Sequence, residues 1–91
     1  MSQRVAKQLG KPESYVMVAL QLSVPMVFAG TTEPAAFLEL KSIGLAESQT
    51  KPLSRALCDI IEAELGIRKD RVYIEFTNAA GKMWGWNGDT F

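Results

Sequence analysis

The chain has 91 residues, and ten lysines and arginines balance ten acidic residues, so its formal charge is zero. That length suits one domain with a modest core, and without a basic cluster neither nucleic acid nor an anionic membrane is an expected partner. No histidine and a single cysteine, Cys58, exclude an internal disulfide and a zinc site of the usual ligands, and no cofactor or metal is expected.

In chain order, Ser2 to Leu9 reads as the end of a helix, with Val5, Ala6 and Leu9 on one side and Gly10 then Pro12 as the stop. Eight residues make about two turns, too short to hold without packing. Tyr15 to Leu22 alternates as a strand, with Val16, Val18, Leu20 and Leu22 on one face. Val24 to Pro34 is a connection made unusually apolar by Met26, Val27 and Phe28. Ala35 to Lys41 is a second strand that sets Ala36, Leu38 and Leu40 against Phe37, Glu39 and Lys41, and Ser42-Ile43-Gly44 breaks it.

The next helix is the clearest element. Thr50 is its expected cap, Pro52 lies near its start, and Leu53, Leu57, Ile60, Ile61 and Leu65 form an amphipathic stripe ending at Gly66. Arg71 to Phe76 is a third strand, and Met83 to Trp86 a short fourth. The N-terminus has no apolar core resembling a signal peptide, and no apolar stretch approaches the roughly 20 residues of a membrane span. A cytoplasmic location is expected, with non-classical secretion left open.

One unit occurs twice. Leu9-Gly10 and Leu65-Gly66 each end a helix, a charged turn follows, and a β-branched strand begins six residues after the glycine, at Val16 and Val72. The second helix is preceded by the strand starting at Ala35, whereas only eight residues precede Leu9. Two strand-helix-strand units side by side would give a four-stranded sheet covered by two helices. On that pattern the opening strand and part of the first helix are missing from residues 1–91.

Five strings carry a resemblance in register: Gly10-Lys11-Pro12-Glu13-Ser14-Tyr15-Val16, Glu33-Pro34-Ala35, Lys41-Ser42-Ile43-Gly44, Asp70-Arg71-Val72-Tyr73-Ile74 and Gly85-Trp86-Asn87-Gly88-Asp89-Thr90-Phe91. Together they resemble the macrophage migration inhibitory factor family of the tautomerase superfamily. The resemblance implies an α+β fold of βαββαβ order, here a single domain over residues 1–91 without its first strand. It also implies a homotrimer around a central channel and keto-enol tautomerisation of phenylpyruvate-like and dopachrome-like substrates.

Moving a proton from carbon to oxygen needs a base titrating near neutrality and a cation to hold an anionic substrate. The resemblance implies an N-terminal proline as the base. Here Ser2 follows Met1, and Pro12, Pro25, Pro34 and Pro52 are chain amides, so no catalytic residue of that kind is expected in these 91 residues. The α-amine of Ser2 would be basic enough at pKa of about 8, but it stands nine residues before Lys11 along a helix, about 13 Å away.

The binding residues implied are Lys11 for a carboxylate, Ile43 as pocket lining, Tyr73 donated across a subunit interface, and Trp84, Trp86 and Phe91 as an aromatic wall. Lys11 alone also reads as a solvated turn lysine, Tyr73 as a half-buried strand residue, and Trp84 and Trp86 as packing or subunit-interface residues, which in this family coincides with the pocket. Glu75 stands where mammalian members of the family carry asparagine, and its carboxylate would repel an acidic substrate. Ala35-Ala36-Phe37-Leu38 replaces a Cys-x-x-Cys pair found in some members, so no redox role is expected, and Cys58 reads as a core thiol. Two functions follow: a small-acid tautomerase, weak or inactive without the proline, or a non-catalytic oligomeric module, cytokine-like or binding small aromatic 2-keto acids.

Overall fold

A computed structural model describes all of residues 1–91. Helix α1 spans Ser2–Leu9 and stops at Gly10, whose φ of 69° is a left-handed cap that glycine adopts without a Cβ penalty. Helix α2 spans Thr50–Leu65 and stops at Gly66, also with φ 69°. A three-residue 3-10 turn follows each glycine, at Glu13–Tyr15 and at Lys69–Arg71. The turns are entered alike, from Pro12 at φ −61° and ψ 143° and from Arg68 at −63° and 146°. Both exit into extended backbone, at Val16 and at Val72. The doubled unit read from the sequence is therefore repeated in backbone conformation as well.

The two copies then diverge. Val72 opens strand β2, Val72–Ala79, which pairs in parallel along its length with strand β1, Ala36–Ile43, joining Ala36 to Val72 and Ile43 to Ala79. The segment from Val16 to Leu22 joins no ladder, so the expected strand at Tyr15–Leu22 is not formed. A strand persists only where a neighbour takes its backbone hydrogen bonds, and none lies beside this segment. Its side chains are correspondingly bare: Met17 is 93% exposed, and Leu20 and Leu22 are exposed too.

In place of a four-stranded sheet lacking only its first strand there is a two-stranded parallel sheet and a separate hairpin. The hairpin pairs β3, Gly85–Trp86, with β4, Asp89–Thr90, across Asn87-Gly88, both at positive φ as a two-residue turn requires. Met83 belongs to the preceding 3-10 turn rather than to the strand expected to begin there. Strand β1 runs two residues past Lys41, because the true break is Gly44, at φ 70°.

The core forms where α1 and α2 cover one face of the sheet. Val5, Leu40, Leu45, Leu53 and Leu57 make one cluster, with Leu9, Val16, Leu38, Ile74 and Phe76 packed around it. The alternation expected in β1 holds, since Leu38 and Leu40 turn inward while Phe37, Glu39 and Lys41 are exposed. The α2 stripe holds for Leu53, Leu57, Ile60 and Ile61 but not for Leu65, which is 52% exposed in the last turn. Thr50 is the first helical residue and not a cap; its hydroxyl donates to the carbonyl of Glu47 at 2.7 Å. Cys58 is half-buried at the edge of the stripe.

Asp59 on α2 accepts a hydrogen bond from Lys69 at 2.6 Å, tying the helix to the turn that feeds β2. That bond holds the Asp59 carboxyl below its usual 3.8 and raises the Lys69 ammonium above 10.5. A depressed carboxyl stabilises the fold above its ordinary value and loses that contribution as pH falls through the lowered one. A raised ammonium contributes below its ordinary value and loses it as pH rises through the higher one. We expect Asp59→Asn to lower the melting temperature slightly at pH 7. The difference from the unmodified chain should close as pH falls below 3.8 and shrink at about 1 M salt, where exposed charges are screened within about 3 Å. Thermal melts at pH 7 and pH 3 check this, and an unchanged gap at both would contradict it.

Candidate functional site

The repeated cap places Lys11. Gly10 turns the chain off α1, and the Lys11 amide donates to the carbonyl of Ala6 at 3.0 Å, fixing the Lys11 backbone against the end of α1. From there the Lys11 ammonium donates to the Ser42 hydroxyl and to the Ile43 carbonyl, both at 2.9 Å. Lys11 and Ile43, which lie 32 residues apart in sequence, thus meet directly. An ammonium has three N–H donors, so one remains, and no carboxylate pairs with Lys11. A half-buried cation with an unused donor and no counter-ion is a ready anchor for an anionic group.

Ser42 is the residue that sequence reasoning missed here. It is buried, on β1, and its hydroxyl orients the ammonium. A serine at a strand's end reads as an ordinary break, and only the alternation that points it to the helix side, like Leu40, could have singled it out.

Tyr73 lies elsewhere. It opposes Phe37, six ladder positions from the Ile43–Ala79 pair, or about 20 Å along the strand. It is 64% exposed on the face away from the helices and stacks on Phe28, with ring centroids 4.6 Å apart and planes 19° apart. Met26, Val27, Phe28, Ala36, Phe37 and Tyr73 bound an open apolar groove of about 610 Å³ at that end. Glu75 shares the Tyr73 face and opposes Glu39 across the ladder. Within one chain, then, Tyr73 and Lys11 do not share a pocket.

The aromatic tail leaves β2 at Ala79, whose carbonyl accepts from the Gly44 amide at 3.4 Å, so it starts at the Lys11 end of the sheet. Trp86 and Phe91 stack with centroids 6.1 Å apart, and Trp84 accepts the Phe91 amide through its carbonyl at 3.2 Å. Trp86 and Phe91 are exposed while Trp84 is half-buried. The Trp86 and Phe91 rings thus pair, Trp84 joins them only through its backbone carbonyl, and none of the three reaches Lys11 through a hydrogen bond.

A family model described as macrophage migration inhibitory factor (MIF) matches residues 1–91. The chain belongs to the macrophage migration inhibitory factor family. A MIF homolog of Trichinella spiralis is 46% identical over 88 residues, covering 96% of this chain and 77% of that protein. The MIF of Rattus norvegicus is 37% identical and covers all of this chain and 80% of the rat protein. The crystal structure of a MIF homologue from Prochlorococcus marinus superposes with a TM-score of 0.93 at 50% identity, covering 99% of this chain and 80% of that one. The α+β fold implied by the five strings is thus the fold of MIF structures. No helix is long and apolar enough to cross a membrane.

Proposed function

We propose that residues 1–91 form a self-associating MIF-family domain whose Lys11 anchors the carboxylate of small aromatic 2-keto acids, in the manner of a keto-enol tautomerase. The observation that carries this is the Lys11 ammonium, fixed by Ser42 and Ile43 and left with one donor and no counter-ion. A carboxylate there gains a charge-assisted hydrogen bond, while the exposed rings of Trp86 and Phe91 offer apolar surface for an aromatic side chain.

Self-association, as a homotrimer, is supported by two features. Apolar residues from Met17 to Val27 and the Phe37–Tyr73 face are exposed, and such continuous surface favours a partner. Tyr73 also lies about 20 Å along the ladder from the Lys11 end, so a tyrosine entering the same pocket as Lys11 would come from a second copy. Turnover by these residues is expected to be weak, because Pro12, Pro25, Pro34 and Pro52 are chain amides and cannot accept a proton. The second reading, a non-catalytic binding or cytokine-like module, shares the same anchor and lacks only the proton transfer. A cytoplasmic setting and independence of cofactors belong to the same proposal.

Three measurements on the same sample test it: sedimentation mass, phenylpyruvate binding by calorimetry, and phenylpyruvate tautomerisation. A trimer that binds but turns over slowly or not at all is expected. A dilute monomer would overturn the assembly, and absence of phenylpyruvate binding would overturn the anchor. Fast turnover that survives blocking of the N-terminal amine would overturn any mechanism based on an N-terminal base.

A further inference from the structure

Arg71 is the only buried charged side chain, at 5% exposure, and no carboxylate pairs with it. Its guanidinium is spent on backbone. Nε donates to the Pro34 carbonyl at 3.1 Å, and Nη1 to that of Phe28 at 2.9 Å. Nη2 donates to the carbonyls of Glu33 at 2.9 Å and Thr31 at 3.5 Å. All four acceptors lie in the connection between Phe28 and Pro34.

That connection is a tight turn held open to the guanidinium. Phe28 and Thr31 exchange both backbone hydrogen bonds, at 3.0 and 3.1 Å, across Ala29 at φ 52° and Gly30 at φ 77°. An alanine in the left-handed region is strained and persists only where its surroundings impose it. Arg71 donates to the carbonyls on both sides of it, those of Phe28 and Thr31. The turn in turn carries the Phe28 ring, which lies 5.1 Å from the guanidinium carbon of Arg71 and stacks on Tyr73. Arg71 stands two residues before Tyr73, so one stretch of chain supplies both the clamp and the ring that the clamp serves.

We propose that Arg71 is a positioning residue: the hydrogen bonds of its guanidinium fork fix the Phe28–Pro34 turn so that Phe28 forms a rigid wall beside Tyr73. The consequence for ligand binding rests on the reading of Tyr73 as a binding residue, whereas the clamp stands on its own geometry. A salt bridge could not do the same work, since a single carboxylate would tether one point where four carbonyls fix the whole turn. Arginine is required because its planar fork reaches several acceptors at once, which a lysine cannot.

The test uses the whole chain and no ligand, so failure of phenylpyruvate binding leaves it intact. Amide exchange reports the turn, and the Tyr73 ring-proton shifts, moved by the stacked Phe28, report the wall. In Arg71→Met, the Thr31 amide is expected to exchange about tenfold faster or more and the Tyr73 shifts to move toward those of free tyrosine. Amides of Ile60 and Ile61 in α2 should stay protected. If Arg71→Met does not fold, Arg71→Lys, which keeps the charge but not the fork, should show the same two changes in smaller measure. Phe28→Leu should release the Tyr73 shifts while the Thr31 amide stays protected. Unchanged Thr31 exchange and Tyr73 shifts in Arg71→Met or Arg71→Lys would overturn the proposal. So would equal loss of Thr31 protection in Phe28→Leu, since the ring and not the guanidinium would then hold the turn.

Discussion

Replacing Leu53 by alanine is expected to remove about 3 kcal/mol of stability. Leu53 is fully buried, at 0% exposure, in the cluster that joins α2 to α1 and β1. Truncation there loses both the transfer of its methyl groups from water and the contacts of the cavity left behind. Few other residues are so enclosed, since only 11 of 91 are buried, and the surrounding leucines cannot close the gap without moving a helix. Out of a typical total of about 5–15 kcal/mol for a domain, the loss is large enough to read directly from urea unfolding. Leu65→Ala provides the contrast. It belongs to the same sequence stripe but is half-exposed in the last turn, so its cost should be about 0.5–1 kcal/mol. Equal losses for the two variants would contradict the observed placement of α2.

Lys11→Met is expected to weaken phenylpyruvate binding about tenfold or more, the loss of one charge-assisted hydrogen bond at about 1.4 kcal/mol per decade. The methionine keeps the length of the apolar stem, so the fold should lose little beyond the two hydrogen bonds to Ser42 and Ile43. Ser42→Ala should give a smaller decrease, because the ammonium keeps the Ile43 carbonyl but loses its second guide. An ester of the same keto acid separates charge from shape: Lys11→Met should leave its affinity nearly unchanged. Titration of both ligands against both variants checks the assignment. A parallel loss for acid and ester would show that Lys11 shapes the site and does not anchor charge.

Much of this molecule was legible in the chain because its signals are local. The stops at Gly10 and Gly66 need only the glycine and the helical stripe before it, and both caps take the left-handed conformation. The inward turn of Leu38 and Leu40 needs only alternation. Lys11 and Ile43 stand in the strings that carry the family resemblance, and the fold brings them into direct contact. In the sequence Arg71 reads as the first residue of a strand, since nothing nearby marks it for burial. Its four acceptors lie 37 to 43 residues away.

The segment from Tyr15 to Leu22 marks the boundary most clearly. Its alternation and β-branched residues are those of a strand, and the backbone leaves its turn as β2 does. Yet only one of the two exits is paired, because pairing depends on a neighbour and not on propensity. By itself, then, the sequence determined the doubled helix-glycine-strand unit, the apolar stripes and the membership of the MIF family, all properties of residue type and spacing. Tertiary structure alone decided which extended segment finds a ladder, that Ser42 holds the Lys11 ammonium, that Arg71 closes on the Phe28–Pro34 turn, and that Tyr73 lies at the far end of the sheet. Those outcomes depend on hydrogen-bond partners distant in sequence, and which groups meet is fixed only when the helices and the sheet pack.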